Sequence, residues 1–230
     1  MTMHGKMTGK KIRYRPMIEA ELTAEEKETA IWRSTRADRA ARIAAGKLQA
    51  ASKEKIERMP KMAKWYCLRV ETGKEFSVEK SLRDANVEVF MPVETVVFVK
   101  KGRKLESVKP FFLSYILVRC VSSAEAFAAL RDVDHVQDIV GGMNGYHVVL
   151  DTDVQRFRAL TESDEGPRVA TDKSMKDGDV AEITDGPFAG FTCLVTAVKW
   201  CRQARAKVVI DVSGKQFEIE SMPIAFLKKS

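Results

Sequence analysis

Hydrophobic and polar positions are distributed differently before and after residue 64. Met1 to Arg15 is basic and its few apolar residues are scattered, so it cannot repay the entropy of ordering and is expected to be disordered. Thr23 followed three residues later by Glu26 makes a capping-box pattern, and Glu25 to Ala45 is rich in Ala, Glu and Arg without Pro or Gly, which predicts a helix. Its large apolar residues, Ile31, Trp32 and Ile43, are too few for a continuous stripe, so the helix is expected to be solvated or weakly docked. Gly46 is expected to interrupt it, and Pro60 to end any continuation through Ile56.

Trp65 to Val70 is aromatic and β-branched, which predicts a strand. Thr72 and Glu75 form a second capping-box pattern ahead of Val78, Leu82 and Ala85, which share one helical face. Val87 to Met91 reads as a short strand halted by Pro92, Thr95 to Val99 as a run that turns at Gly102, and Phe111 to Val118 as a returning strand. Ser122 and Glu125 open a helix with Phe127 and Leu130 inward. His135 to Val140 is strand-like, and Asp151 caps a helix carrying Val154, Phe157 and Leu160. The order β-α-β-β-α-β is the ferredoxin-like split pattern with an extra hairpin between its middle strands.

Ser163 to Ser174 is polar, contains Gly166 and Pro167 and lacks periodicity, so it reads as a linker. Beyond it Val180 to Ile183, Cys193 to Val198, Lys207 to Val212 and Phe217 to Glu220 are short strands separated by turn residues, the pattern of a small β-barrel. The β-branched run Val208, Val209, Ile210 and Val212 argues against a helix there. The fold class is α+β. The expected division is an extension (1–64), a first domain (65–162), a linker (163–174) and a second domain (175–230).

Charge sharpens this division. Residues 1–64 hold 16 Lys and Arg against 8 Asp and Glu, and the remaining residues 23 against 24, so the leading segment carries the whole positive excess. A basic arm of this kind suits nucleic acid or an acidic surface, and equally serves as a solubilising tail. Arg33, Arg36, Arg39 and Arg42 form its candidate phosphate-tracking face, and Lys100, Lys101, Arg103 and Lys104 at the hairpin tip form a second one, the alternative for the tip being a solvated turn.

Cys67, Cys120, Cys193 and Cys201 make no C-x-x-C pair, which favours buried free thiols in a reducing compartment. No apolar stretch reaches the roughly 18 residues of a membrane span, so the expectation is a cytoplasmic protein with no membrane partner. His4, His135 and His147 have no Cys or Asp at metal-ligand spacing, and Gly141-Gly142 is no phosphate loop because no Lys-Ser or Lys-Thr follows. A binding protein is expected rather than an enzyme, with no cofactor and no metal.

The run Trp65-Tyr66-Cys67-Leu68-Arg69-Val70 with Thr72-Gly73-Lys74-Glu75, the run Val89-Phe90-Met91-Pro92-Val93-Glu94, and the run Lys109-Pro110-Phe111-Phe112-Leu113-Ser114-Tyr115-Ile116-Leu117-Val118 together resemble the NusG N-terminal domain. Gly178-Asp179 and Ile183-Thr184-Asp185-Gly186-Pro187-Phe188-Ala189-Gly190-Phe191 resemble a KOW motif, so the second domain is expected to be an SH3-like KOW barrel. The resemblance implies a transcription elongation, termination or antitermination factor, either general or a specialised paralogue, that acts as a monomer. Its first domain would rest on the clamp helices of RNA polymerase and favour processive elongation, and its KOW domain would recruit Rho or a ribosomal protein.

Trp65, Phe90, Phe111, Phe112 and Tyr115 are then the candidate polymerase contacts, although strand alternation must place about half of such aromatics in the core. Phe191 is the candidate partner-docking residue, and Phe188 beside it is expected to plug the barrel core. The chain departs from the family pattern at Leu113-Ser114, where Pro-Gly is usual, at Cys193 and at Ser213. Ser114 therefore implies either a different local backbone or a strain of roughly 1 kcal/mol. The competing reading is a ribosome- or RNA-binding KOW protein. Eight Lys and Arg against seven Asp and Glu from Met175 to Ser230 make the barrel too nearly neutral to favour it.

Overall fold

The computed structural model describes residues 23–100, 103–142, 145–162, 174–200 and 204–229. Met1 to Arg15, the linker up to residue 173, Lys101, Gly102 and Cys201 lie outside them. Two compact units are distinguished, Met1–Arg42 and Ile43–Ser230.

The first helix, α1 (Ala24–Leu48), begins at the predicted capping box. Thr23 N–H donates to Glu26 Oε2 at 2.9 Å, and Glu26 N–H donates back to Thr23 Oγ1 at 3.3 Å. Ile31, Trp32 and Ile43 are exposed and form no continuous stripe. The helix runs through Gly46 instead of stopping there. One glycine costs a helix only about 1 kcal/mol, and Leu48 just beyond it is buried.

A 3₁₀ turn (Gln49–Ala51) leads into α2 (Lys53–Arg58) and a second turn at Pro60–Met62, so Pro60 does end the helical run. Leu48 and Ala51 are buried with Leu82, Ala85, Val87, Ala126 and Leu130, while Ile56 packs with Ala63 and Val121. Lys53 N–H donates to Asn86 O at 2.8 Å. Residues 48–56 are thus firmly docked, not solvated. Their apolar residues follow no helical period, which hid them from a stripe search.

The next elements are β1 (Ala63–Val70), α3 (Glu75–Asp84), β2 (Glu88–Phe90), the hairpin β3 (Val93–Lys100) and β4 (Arg103–Pro110), β5 (Tyr115–Val121), α4 (Ala124–Arg131) and β6 (Val136–Ile139). A two-residue ribbon, β7 (Gly141–Gly142) with β8 (Gly145–Tyr146), precedes β9 (Val148–Val149) and α5 (Asp151–Glu162). The main sheet has the order β2-β5-β1-β6, with β9 also on β1, and its pairings are antiparallel. This is the predicted split pattern with its extra hairpin.

Period-2 alternation divides this sheet between two cores. Tyr66, Leu68, Val70, Ile116, Val118 and Cys120 pack beneath α3 and α4. Trp65, Cys67, Tyr115 and Leu117 point the other way, toward Val154 and Phe157 of α5. The helix starts differ from expectation. α4 is capped by Ser123, one residue after the predicted Ser122, with Ala126 N–H donating to Ser123 Oγ at 3.1 Å. α3 starts at Glu75 behind Lys74, and no Thr72–Glu75 box forms because both side chains turn to Ser114.

Five antiparallel strands, β10 (Val180–Ile183), β11 (Thr192–Lys199), β12 (Arg205–Val212), β13 (Lys215–Pro223) and β14 (Leu227–Lys229), build the second body in the order β13-β12-β11-β10-β14. Ala181, Ile183, Val195, Val208, Ile210, Phe217 and Ile219 alternate inward, so the predicted barrel is present and strand-built. Ser213 (φ 52°) and Gly214 (φ 86°) make the tight turn between β12 and β13, and Gly214 N–H donates to Asp211 Oδ1 at 2.8 Å. Cys67, Cys120 and Cys193 are buried and unbridged, and burial pushes the Cys193 thiol up to about 11, which leaves it protonated and unreactive at neutral pH. No helix among the described residues is long and apolar enough to cross a membrane.

Candidate functional site

The segment joining β4 to β5 carries the aromatic pair, and its backbone is pinned at both ends. Phe111 N–H donates to Pro92 O, and Val70 N–H donates to Ser114 O, each at 2.8 Å. Ser114 has φ 67°, so the left-handed conformation that glycine would adopt at little cost is kept here by a serine. What holds it is the buried Glu75 carboxylate, which accepts Ser114 N–H at 2.9 Å, and Thr72 Oγ1, which lies 2.7 Å from Ser114 Oγ. The charge-assisted bond to Glu75, with the hydroxyl contact beside it, offsets a strain of roughly 1 kcal/mol.

So fixed, Phe111 and Phe112 meet Phe157 of α5 at centroid distances of 5.0 and 5.3 Å, and Phe90 touches the same ring at 6.2 Å. Trp65 lies 6.5 Å from Phe90. Four of the five candidate polymerase contacts, Trp65, Phe111, Phe112 and Tyr115, are only 3–4% exposed, and Phe90 is half-buried. None of the four lies open, more than the half that strand alternation alone would bury. The physical reason is twofold: α5 covers the Trp65–Phe90 side through Phe157 and Arg158, and the barrel covers Phe111, Phe112 and Tyr115 and continues their core.

The covering contacts are specific. Phe188 packs edge-on against Phe112 at 5.8 Å and Tyr115 at 5.1 Å, and Phe226 stacks on Phe111 at 5.9 Å. Tyr115 Oη donates to Glu218 O at 2.7 Å, and burial pushes its phenol pKa up. Backbone meets backbone at Gly142, where an added Cβ would lie 2.3 Å from Val212 O, so only glycine fits. Gly186 likewise lies against the Phe112 ring. Gly142 therefore serves as the seat of the barrel's Ser213 turn, while Gly141 lies against the Gly145–Tyr146 backbone.

Three ion pairs rim the aromatic centre: Glu94 with Arg205, Asp138 with Lys215, and Arg156 with Asp185 at 2.9 Å. Burial pushes the Glu94 carboxyl up, in opposition to the lowering by Arg205. The two candidate partner residues are drawn into the same contact. Phe188 is fully buried in the barrel, as expected, and also touches the first domain. Phe191 is half-buried, 4.7 Å from the His147 ring.

His147 faces Phe191, the Pro187 carbonyl and Asp153 of α5. Desolvation holds its pKa below the ordinary 6.5, with the Pro187 carbonyl and Asp153 pulling the other way. Because the uncovered ring takes up a proton more readily than the covered one, barrel docking is expected to weaken as pH falls through about 6.5. A pH titration of barrel-side methyl resonances from pH 7.5 to 5.5 checks this, and His147→Gln should flatten the response.

The cationic candidates are less sharply placed. Lys100 and Arg103 close the hairpin as a register pair and Lys104 pairs with Val99, while Lys101 lies outside the described residues. Arg33, Arg36 and Arg39 belong to α1, their side chains lie outside the described residues, and Arg42 is exposed. Sequence reasoning missed Glu94, Gly142, His147, Arg205 and Phe226 as members of the covered face. Only Gly142 carried a signal, as one of an adjacent glycine pair in a strand-rich region.

A split β-α-β-β-α-β sheet with an aromatic face, followed by a five-stranded barrel seated on that face, makes up the α+β architecture from β1 onward. Residues 63–158 match the family model described as transcription termination factor nusG. The Transcription termination/antitermination protein NusG of Vibrio cholerae serotype O1 is 29% identical over 169 residues, covering 68% of this chain and 91% of that protein. That of Escherichia coli K12 is 29% identical over 168 residues with the same coverage. A solved structure of domain interaction in Thermotoga maritima NusG is 23% identical, covers 73% of this chain and 97% of that one, and superposes with a TM-score of 0.37. Over the matched region, residues 63–158, the chain is similar to the NusG family.

Proposed function

We propose that this chain is a transcription termination/antitermination factor that binds RNA polymerase through Trp65, Phe90, Phe111, Phe112 and Tyr115, and that its own barrel covers this face until polymerase displaces it. The observation that carries the reading is the aromatic face itself. Large rings at low side-chain entropy are what an interface core requires, and an apolar face of this kind needs a cover when its partner is absent. The names of the NusG relatives support the class of function. Barrel departure would also free Phe188 and Phe191, so the KOW partner, Rho or a ribosomal protein, would find its docking loop only on the opened molecule.

A pull-down with the full chain against bacterial RNA polymerase core enzyme and against ribosomes tests this. Retention on polymerase is the expected result. Retention on ribosomes alone would favour the RNA- or ribosome-binding reading.

A further inference from the structure

The covering barrel shows what chemistry the covered face accepts. Most of what it offers is apolar, through Phe188 and Phe226, but at the rim it inserts a cation. The Arg205 guanidinium carbon lies 4.8 Å from the Phe111 ring centroid, its Nη2 donates to the Glu94 carboxylate, and its Nη1 donates to Ser221 O at 3.2 Å. The two charged side chains are only 11% and 20% exposed. A planar cation held by a ring face and a carboxylate together is the contact arginine makes and lysine makes poorly.

Removal of the barrel splits this arrangement unevenly. Arg205 and the Ser221 carbonyl leave with β12 and β13, whereas Glu94 and Phe111 stay, fixed beside each other because Val93 pairs with Pro110 and Phe111 N–H is bound to Pro92 O. Lys109, opposite Glu94 on the hairpin, is exposed and can only partly neutralise the carboxylate. A carboxylate beside an open ring face then lacks its cation.

We propose that Glu94 and the Phe111 ring form a guanidinium-binding subsite at the edge of the aromatic face, filled by Arg205 in the covered state and by an arginine of the polymerase surface once the barrel has left. This rests on the polymerase-binding reading above and adds the chemistry of one contact. The partner surface it fits is an apolar ridge flanked by an arginine.

Glu94 then has two opposing roles, as latch and as receptor, and a pair of variants separates them. In the full chain Arg205→Gln breaks the latch and keeps the receptor, so binding to bacterial RNA polymerase core enzyme should rise. Adding Glu94→Gln to Arg205→Gln has no latch left to break, so the double variant should bind about tenfold more weakly than Arg205→Gln alone. Equal melting temperatures for the two variants would show that both remain folded. Equal polymerase affinities would overturn the subsite and leave Glu94 as a latch only. Absence of binding by Arg205→Gln itself would overturn the polymerase reading, and this proposal with it.

Discussion

Gly142→Val is expected to raise the affinity of the full chain for RNA polymerase by roughly 5- to 150-fold. The substitution adds a Cβ that would sit 2.3 Å from Val212 O and 2.5 Å from the Ser213 Cβ, both on the barrel. Overpacking of this kind costs about 1–3 kcal/mol. Here the cost falls on the covered state alone, because the colliding atoms depart with the barrel. When the competent state is a minor one, apparent affinity rises in proportion to its population, so the same energy appears as roughly a 5- to 150-fold gain. Surface immobilisation of the polymerase and a titration of each chain would measure it. An unchanged dissociation constant would mean that the barrel does not compete with polymerase for this face.

The second large effect lies on the face itself. In the Gly142→Val background, Phe112→Ala together with Tyr115→Ala is expected to weaken polymerase binding by about 2 kcal/mol or more, roughly thirtyfold. The background matters. In the parent chain these rings also hold Phe188 and the Glu218 carbonyl, so truncating them would loosen the barrel and mask part of the loss. Circular dichroism should show the strand content retained, since the sheet's other core under α3 and α4 is untouched. A folded double variant with unchanged affinity would remove these rings from the contact.

Much of this architecture was legible because local patterns and tertiary roles agree. The aromatic and β-branched run Trp65–Val70 and the run Phe111–Val118 predicted strands, the second of which forms at Tyr115–Val121, and the β-branched run at Val208–Val212 predicted a strand-built barrel. The docked segment 48–56 was not legible, because Leu48, Ala51 and Ile56 fill separate niches and follow no period. The Thr72–Glu75 box failed for a related reason. A capping pattern reports local preference, and here the tertiary demand of Ser114 at φ 67° recruits both side chains. The aromatics of the candidate site could be found from sequence, but their burial could not, since a strand has two faces and nothing in its own residues says that both are covered. Arg205 and Glu94 were invisible for a plainer reason: 111 residues separate the partners of one ion pair.

The barrel that covers the aromatic face belongs to the same chain as the face. Closure of the barrel on the face would therefore be a first-order event whose balance does not depend on protein concentration. Cells cannot titrate such a cover away by making more of the protein, because each new molecule brings its own. Expression would change the number of molecules and leave the uncovered fraction fixed. Only something that favours the uncovered form, such as a polymerase surface, a barrel partner or a proton on His147, would change that fraction, so supply and readiness are governed separately.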